Sequence, residues 1–309
     1  MPLPPPLVVI AGSTASGKTA LSLELAAGLA RRGVAAEIVS ADSRQVYRGM
    51  DVGTAKVTQE ERARFPHHGL DLVDPDEPFS VVDFQEHVAG VLAGIAAREG
   101  VALLVGGTGF YLRAVAAGLD TSALPWNPAL RVELDARLAR EGLPSLVAEL
   151  HALAPARART IDLRNPRRVV RALEIAHVRG DEPLPEARGY GRPVLWLGLD
   201  VDRAVLVDRI RRRARAQFDT GLVEETERLA ARFDTSAPSF SGIGYAECLA
   251  LLEGRCTRDE AIAADAQRNV AFSRRQATWF RREREIRWLP ATRAIPATEA
   301  LRSALAYLG

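Results

Sequence analysis

Cysteine is nearly missing from this chain of 309 residues. Only Cys248 and Cys256 occur, which argues against a disulfide framework and fits a reducing compartment. The five histidines form no close Cys/His cluster, so a structural zinc site has little support. No apolar run is long enough to span a membrane. Met1 to Pro6 is proline-rich and lacks the charged start and apolar stretch of a signal peptide, so a cytoplasmic protein with no membrane partner is expected. Net charge is scarce as well: +2, although 26% of residues are charged, unlike a disordered chain or a strongly basic binder. Lysine is the last scarcity, because Lys18 and Lys56 are the only lysines and every other basic residue is arginine. What is abundant is apolar: 47% hydrophobic residues bury a large core, and the length suits two domains or one domain with an insertion.

Leu7 to Ala11, LVVIA, has the uninterrupted apolar character of a buried parallel strand. A glycine-rich turn follows, then a helix from about Lys18 to Ala30. A second strand over Ala36 to Ser40 ends at Asp42. Pro66 to Pro78 reads as a loop, Val82 to Arg98 as a helix and Val101 to Val105 as a third strand. Strand and helix alternate, so the expected fold class is α/β, a P-loop parallel sheet with helices on both faces. From Asp120 to about Arg188 the apolar spacing turns helical, interrupted by Pro125, Pro128, Pro144 and Pro155. Asp181 to Tyr190 reads as a link, and Val194 to Leu199 as a strand that resumes the core. Asp200 to Asp202 reads as the cap of the next helix, with a last short strand near Arg287 to Leu289. Residues 1–119 and 191–309 therefore form the expected core, and residues 120–190 a helical insertion domain.

Gly12-Ser13-Thr14-Ala15-Ser16-Gly17-Lys18-Thr19 matches G-x-x-x-x-G-K-[ST] between a strand and a helix. Glycines let successive backbone N–H groups turn toward an anion, and the helix start adds partial positive charge. Lys18 would meet the phosphate oxygens, and the Thr19 hydroxyl would ligate magnesium, Mg2+. The motif points to a polyphosphate without saying which. Many P-loop enzymes place an aspartate at the end of another buried strand. Here that strand ends Val105-Gly106-Gly107-Thr108-Gly109, a glycine turn with a hydroxyl. Ligands bind at the carboxyl ends of parallel strands, so Asp42 and Thr108 should meet the loop there. Taken alone, Asp42 reads as a turn or N-cap residue; facing a diphosphate, it reads as a base acting on a second substrate.

These segments, with Asp42 to Lys56 (DSRQVYRGMDVGTAK), resemble the tRNA dimethylallyltransferases. So do Pro66-His67-His68, Val105 to Tyr111 (VGGTGFY), Arg168 to Glu174, Ile243-Gly244-Tyr245 and Arg275 to Arg281. The resemblance implies transfer of a dimethylallyl group from dimethylallyl diphosphate to the exocyclic amine of the adenosine immediately after the anticodon. Asp42 is then the base, Thr108 lies near the reacting adenosine, and Lys18 and Arg213 stabilise the leaving diphosphate. It further implies tRNA contacts, through the anticodon stem-loop, from Asp42, Ser43, Arg44, Gln45, Thr108, Arg131, Arg167, Arg168, Val169, Val170 and Arg171. A monomer of the bacterial branch, without a C-terminal zinc-binding extension, is expected. The chain departs from the family pattern at Thr160 to Asn165 (TIDLRN), at Gln217, at Ser241-Gly242 and at Val270. Three other readings stay open: an NTP-dependent small-molecule kinase that uses the loop for ATP, a prenyltransferase of free adenine nucleotides, and a non-catalytic RNA-binding protein.

Overall fold

The computed structural model describes residues 3–121, 124, 125 and 127–309. Contacts divide them into two compact units: the chain up to Gly118 together with the chain from Gly189 onward, and Leu119–Arg188.

The first unit starts with β1 (Leu7–Ala11), α1 (Lys18–Ala30), β2 (Ala36–Ser40), α2 (Gln59–Arg64), β3 (His67–His68), α3 (Val81–Ala97), β4 (Val101–Gly106) and α4 (Gly109–Ala116). The second unit holds α5 (Pro128–Glu141), α6 (Leu143–Leu153), α7 (Pro155–Ala158) and α8 (Pro166–Arg179). The first unit resumes with β5 (Val194–Asp200), α9 (Arg203–Asp219), α10 (Leu222–Ala230), a 3-10 turn (Pro238–Ser241), α11 (Tyr245–Leu252), α12 (Arg258–Phe280), β6 (Arg287–Pro290) and α13 (Ala297–Leu308).

Six strands form one sheet in the order β3-β2-β4-β1-β5-β6, and all pair in parallel. Side chains alternate across a strand, so each face of β1 needs its own cover. Leu7, Val9 and Ala11 pack with Phe84, Val88 and Ile95 of α3 and with Leu112 of α4. Val8 and Ile10 pack with Leu21, Leu25 and Leu29 of α1 and with Ala300 and Ala304 of α13. Helices on both faces explain why LVVIA is apolar at every position. Register then sets the site: Ala11 pairs with Gly106 of β4 and with Gly198 of β5, so the turns after these strands open on the same sheet edge.

Two expectations change. The stretch Pro66 to Pro78 is not all loop, because His67–His68 forms β3 on the sheet edge beside Ile38 and Val39, and Val101–Gly106 becomes the fourth strand. Two residues leave no periodicity to read, and only the backbone of β2 makes them a strand. Helix α2 also goes unforeseen; it starts from a capping box in which Thr58 and Glu61 exchange hydrogen bonds. In the second unit Pro128, Pro144 and Pro155 open helices rather than interrupt them, as the missing proline N–H permits in a first turn. Its core gathers Leu134, Leu146, Leu150, Val169, Val170 and Leu173.

Candidate active site

The glycine loop leaves β1 and enters α1 through two left-handed residues, Ala15 (φ 61°) and Gly17 (φ 100°). The φ of Gly17 favours glycine, and a Cβ there would also meet Cδ1 of Ile295 at 2.6 Å, which a shift of that side chain would relieve. Lys18 folds back over the loop, and its Nζ donates to the Ser13 carbonyl at 2.9 Å. Burial lowers the Lys18 pKa from 10.5 to about 8; Asp42 opposes the shift and Arg213 adds to it. The ammonium is therefore poorly solvated, faces a carboxylate and shares its field with a second cation. Thr19 is exposed at the start of α1, and the hydroxyl of Ser16 is buried without a hydrogen-bond partner among the described residues.

Helix α12 clamps this loop to the turn after β4. Gln276 accepts from the backbone N–H of Thr14 at 2.8 Å and donates to the Gly107 carbonyl at 3.0 Å. The Ser13 hydroxyl donates to the Ser273 carbonyl. Gly109 must lack a side chain because the Trp279 ring occupies the space, 2.2 Å from where a Cβ would sit. Replacing Gln276 with alanine leaves a buried donor and a buried acceptor unpaired, at an expected cost of about 2 kcal/mol. Denaturant unfolding measures it; an unchanged midpoint would mean that water replaces the amide.

Beyond β2 the chain meets the same edge. Gly106 admits the Ala41 carbonyl to 2.1 Å from a hypothetical Cβ, and Ala41 N–H donates to the Val105 carbonyl. Asp42 follows, its Oδ1 accepting from Arg44 N–H at 2.9 Å in a local turn. Thr108 joins the two turns by accepting from Ser43 N–H at 3.2 Å and donating to the Ser43 hydroxyl. Gln45 accepts from the Ser40 hydroxyl and donates to the Thr54 carbonyl. Arg44 donates to the carbonyls of Pro238 and Ser239. Lys18, Thr19, Asp42, Gln45 and His67 line a small cleft of ≈ 50 Å³. A larger cavity of ≈ 590 Å³ touches the other flank of the loop at Ser13 and Ser16, between apolar Leu199 and Phe280 and basic Arg274 and Arg281.

Arg213, on α9, joins the group. Burial pulls its pKa down while Asp265 and Asp42 push it up. Asp265 is 1% exposed; burial raises its pKa to about 6, against a hydrogen bond from Asn269. Arg209, one turn away, is instead spent on the carbonyls of Ala291 and Thr292.

The second unit sorts the remaining candidates. Arg167 and Arg168 are exposed in the first turn of α8, where cations are disfavoured by the helix dipole and the local field attracts anions. Arg171 donates to the Pro125 carbonyl and pairs with Glu174. Arg131 also pairs with Glu174, at 2.6 Å, and with Asp135. Val169 and Val170 have side chains fully buried in the core of this unit, which leaves only their backbone to meet a ligand.

Gln276, Asp265 and Glu225 carry structure around the site and were not singled out from the sequence. Gln276 lies inside the Arg275 to Arg281 segment, yet its partners are more than 160 residues away. The one available signal was an acid or amide on an otherwise apolar helix face, as at Asp265, Asn269 and Gln276 of α12.

The sequence profile of the IPP transferase family matches residues 45–283. The tRNA dimethylallyltransferase of Roseiflexus sp. (strain RS-1) is 44% identical over 292 residues, 93% of each chain. That of Anaeromyxobacter sp. (strain K) is 46% identical over 288 residues, 92% of each chain. The crystal structure of the full-length tRNA isopentenylpyrophosphate transferase from Bacillus halodurans superposes with TM-score 0.72 at 36% identity, covering 98% of this chain and 96% of that one. A eukaryotic dimethylallyltransferase acting on tRNA, 23% identical with TM-score 0.75, shares the fold. The family resemblance of the DSRQVYRGMDVGTAK segment thus extends over nearly the whole chain, and the protein belongs to the IPP transferase family.

Proposed function

We propose that this protein transfers the dimethylallyl group of dimethylallyl diphosphate to the exocyclic amine of the adenosine immediately after the anticodon of tRNA, giving N6-isopentenyladenosine. The observation that supports the reading is that Lys18 and Asp42 line one cavity, with Thr108 bonded to Ser43 beside Asp42 and Arg213 in the electrostatic field of both, in a chain whose relatives over more than nine-tenths of its length are tRNA dimethylallyltransferases.

The exocyclic nitrogen is a weak nucleophile because its lone pair is delocalised into the purine. It forms a bond to the allylic carbon as the carbon–oxygen bond to diphosphate breaks, and its proton passes to the Asp42 carboxylate. Arg44 N–H holds Asp42 Oδ1, which orients the carboxylate. Thr108 keeps Ser43 beside it, and Ser43, Arg44 and Gln45 hold the target nucleotide. The N–H groups of Gly12 to Thr19, with Lys18 and Arg213, offset the charge that develops on the leaving diphosphate.

Oxygen ligands at the loop fit magnesium: Thr19 is exposed at the start of α1, and the Ser16 hydroxyl has no partner among the described residues. Such an ion needs one or two protein oxygens when phosphate oxygens and water complete its shell. Thr19 would hold it, and when bound it supplies further neutralisation of the diphosphate.

An adenosine within an anticodon stem-loop reaches the site only by extrusion from its stack. Arg167, Arg168, Arg171 and Arg131 would grip the RNA, chiefly through phosphates. One chain supplies every residue named here, so we assign the activity to a monomer working in the cytoplasm. Among the described residues no helix is long and apolar enough to cross a membrane.

Mass spectrometry of nucleosides from tRNA incubated with the protein, magnesium and dimethylallyl diphosphate should reveal N6-isopentenyladenosine next to the anticodon. Phosphate transfer from labelled ATP without that nucleoside would overturn the assignment in favour of a kinase.

A further inference from the structure

Glu225 of α10 is 3% exposed, and every hydrogen bond it accepts among the described residues comes from an uncharged donor. Its Oε2 accepts from Asp51 N–H at 3.1 Å and Val52 N–H at 2.9 Å. Its Oε1 accepts from Gly53 N–H at 3.2 Å and from the Tyr245 hydroxyl at 2.6 Å. Three consecutive amides thus close on one carboxylate, the nest by which backbone binds anions. From α9, Gln217 completes the grip by donating to the carbonyls of Val52 and Gly53 at 2.5 and 3.0 Å. Gly53 is forced, because a Cβ there would lie 2.5 Å from the Tyr245 ring. A buried carboxylate is costly unless donors converge on it, and here they all belong to one short turn and the tyrosine beside it.

That turn does not stand alone. Thr54, the next residue, donates its hydroxyl to the Met50 carbonyl and offers its own carbonyl to the Gln45 side chain at 3.1 Å. Lys56, with its side chain 1% exposed, ties the Tyr47 carbonyl to Asp51 and Asp71. The segment from Ser43 to Lys56 is therefore one hydrogen-bonded body, anchored to the helices at Glu225.

We propose that Glu225 is a positioning residue for the RNA substrate: by fixing the backbone of 51–53 it sets Gln45, and with it the segment Ser43 to Gln45 that receives the target nucleotide. This rests on the reading of that segment given above.

The test is steady-state transfer to an anticodon stem-loop RNA, with direct RNA binding and thermal melting in parallel. Glu225→Gln keeps the shape but turns an amide toward amide donors. It should raise the KM for RNA about tenfold while the KM for dimethylallyl diphosphate moves less than about twofold, and Glu225→Asp should fall between. Equal rises in both KM values, or an unchanged RNA KM, would overturn the proposal. Should Glu225→Gln fail to melt cooperatively, Tyr245→Phe removes one donor only. It should raise the RNA KM about threefold, and an unchanged value there overturns the proposal as well. Gln45→Ala separates the two readings. If it raises the RNA KM and Glu225→Gln does not, the Glu225 assignment alone falls; if neither does, the role of Ser43 to Gln45 falls with it. If the wild-type protein transfers nothing, the prenyl-transfer reading fails, and RNA affinity still decides whether Glu225 acts on RNA.

Discussion

Replacing Asp42 with asparagine should lower the rate of prenyl transfer by about 10²–10⁴ while leaving tRNA affinity within about twofold, because a positioned general base contributes that much and little to binding. The substitution isolates proton acceptance. Asparagine presents a carbonyl oxygen where Asp42 Oδ1 accepts from Arg44 N–H at 2.9 Å, so the turn that orients residues 43–45 survives. The neighbouring cations make a second effect predictable. Asp42 raises the affinity of Lys18 and Arg213 for protons by its negative charge; without it Lys18 should titrate below about 8, and the pH at which pyrophosphate binding weakens should fall. Single-turnover transfer rates and a filter-binding isotherm for tRNA measure the two quantities. A variant that retains wild-type turnover would remove Asp42 as the base.

Replacing Lys18 with methionine should have opposite effects on activity and stability. Transfer should fall by about 10²–10³, the usual loss when a group stabilising developing negative charge is removed. Folding should become more favourable at neutral pH by about 2 kcal/mol, because the wild-type protein holds a poorly solvated ammonium whose pKa is lowered from 10.5 to about 8. The sign follows from proton counts. Between about pH 8 and 10.5 the unfolded chain holds the Lys18 proton and the folded chain has lost it, so stability from this group rises with pH across that window. Below about pH 8 both states are protonated and the full penalty of burying the charge applies. The stability gap between variant and wild type should therefore be widest near neutral pH and close by about pH 10.5. Chemical denaturation of both proteins at several pH values measures it, and a less stable Lys18→Met protein at pH 7 would contradict it. In the wild type, affinity for inorganic pyrophosphate should decline as pH passes about 8, since the free lysine discharges there.

Much of the fold could be read without coordinates. Leu7–Ala11, Lys18–Ala30 and Ala36–Ser40 have the boundaries that apolar runs and the glycine turn predict, because each signal is local: strand burial on two faces, helical spacing, a glycine that must adopt positive φ. The glycine loop and the DSRQVYRGMDVGTAK segment were legible for the same reason. Composition and periodicity stop where a residue's role depends on a partner far along the chain. Arg209 and Arg213 are equivalent in sequence, one turn apart on an arginine-rich helix. Only packing commits the first to the Ala291 and Thr292 carbonyls and leaves the second in the field of Asp42 and Asp265.

Burial decided the rest in the same way. The resemblance implied RNA contacts at Val169 and Val170; that their side chains pack with Leu134, Leu146 and Leu150 is a fact of the fold that no local pattern gives. His67–His68 became a strand because β2 had a free edge, and Gln276 became a clamp because α12 passes both the glycine loop and the turn after β4. The amino-acid sequence by itself determined most of the elements, the glycine turn and the residue types proposed for proton and diphosphate chemistry, since local sterics and hydrophobic spacing specify them. The tertiary structure alone decided which polar side chains are spent on holding the site and which are left to act. Hydrogen-bond and charge pairing join residues that only the folded chain brings within a few ångströms.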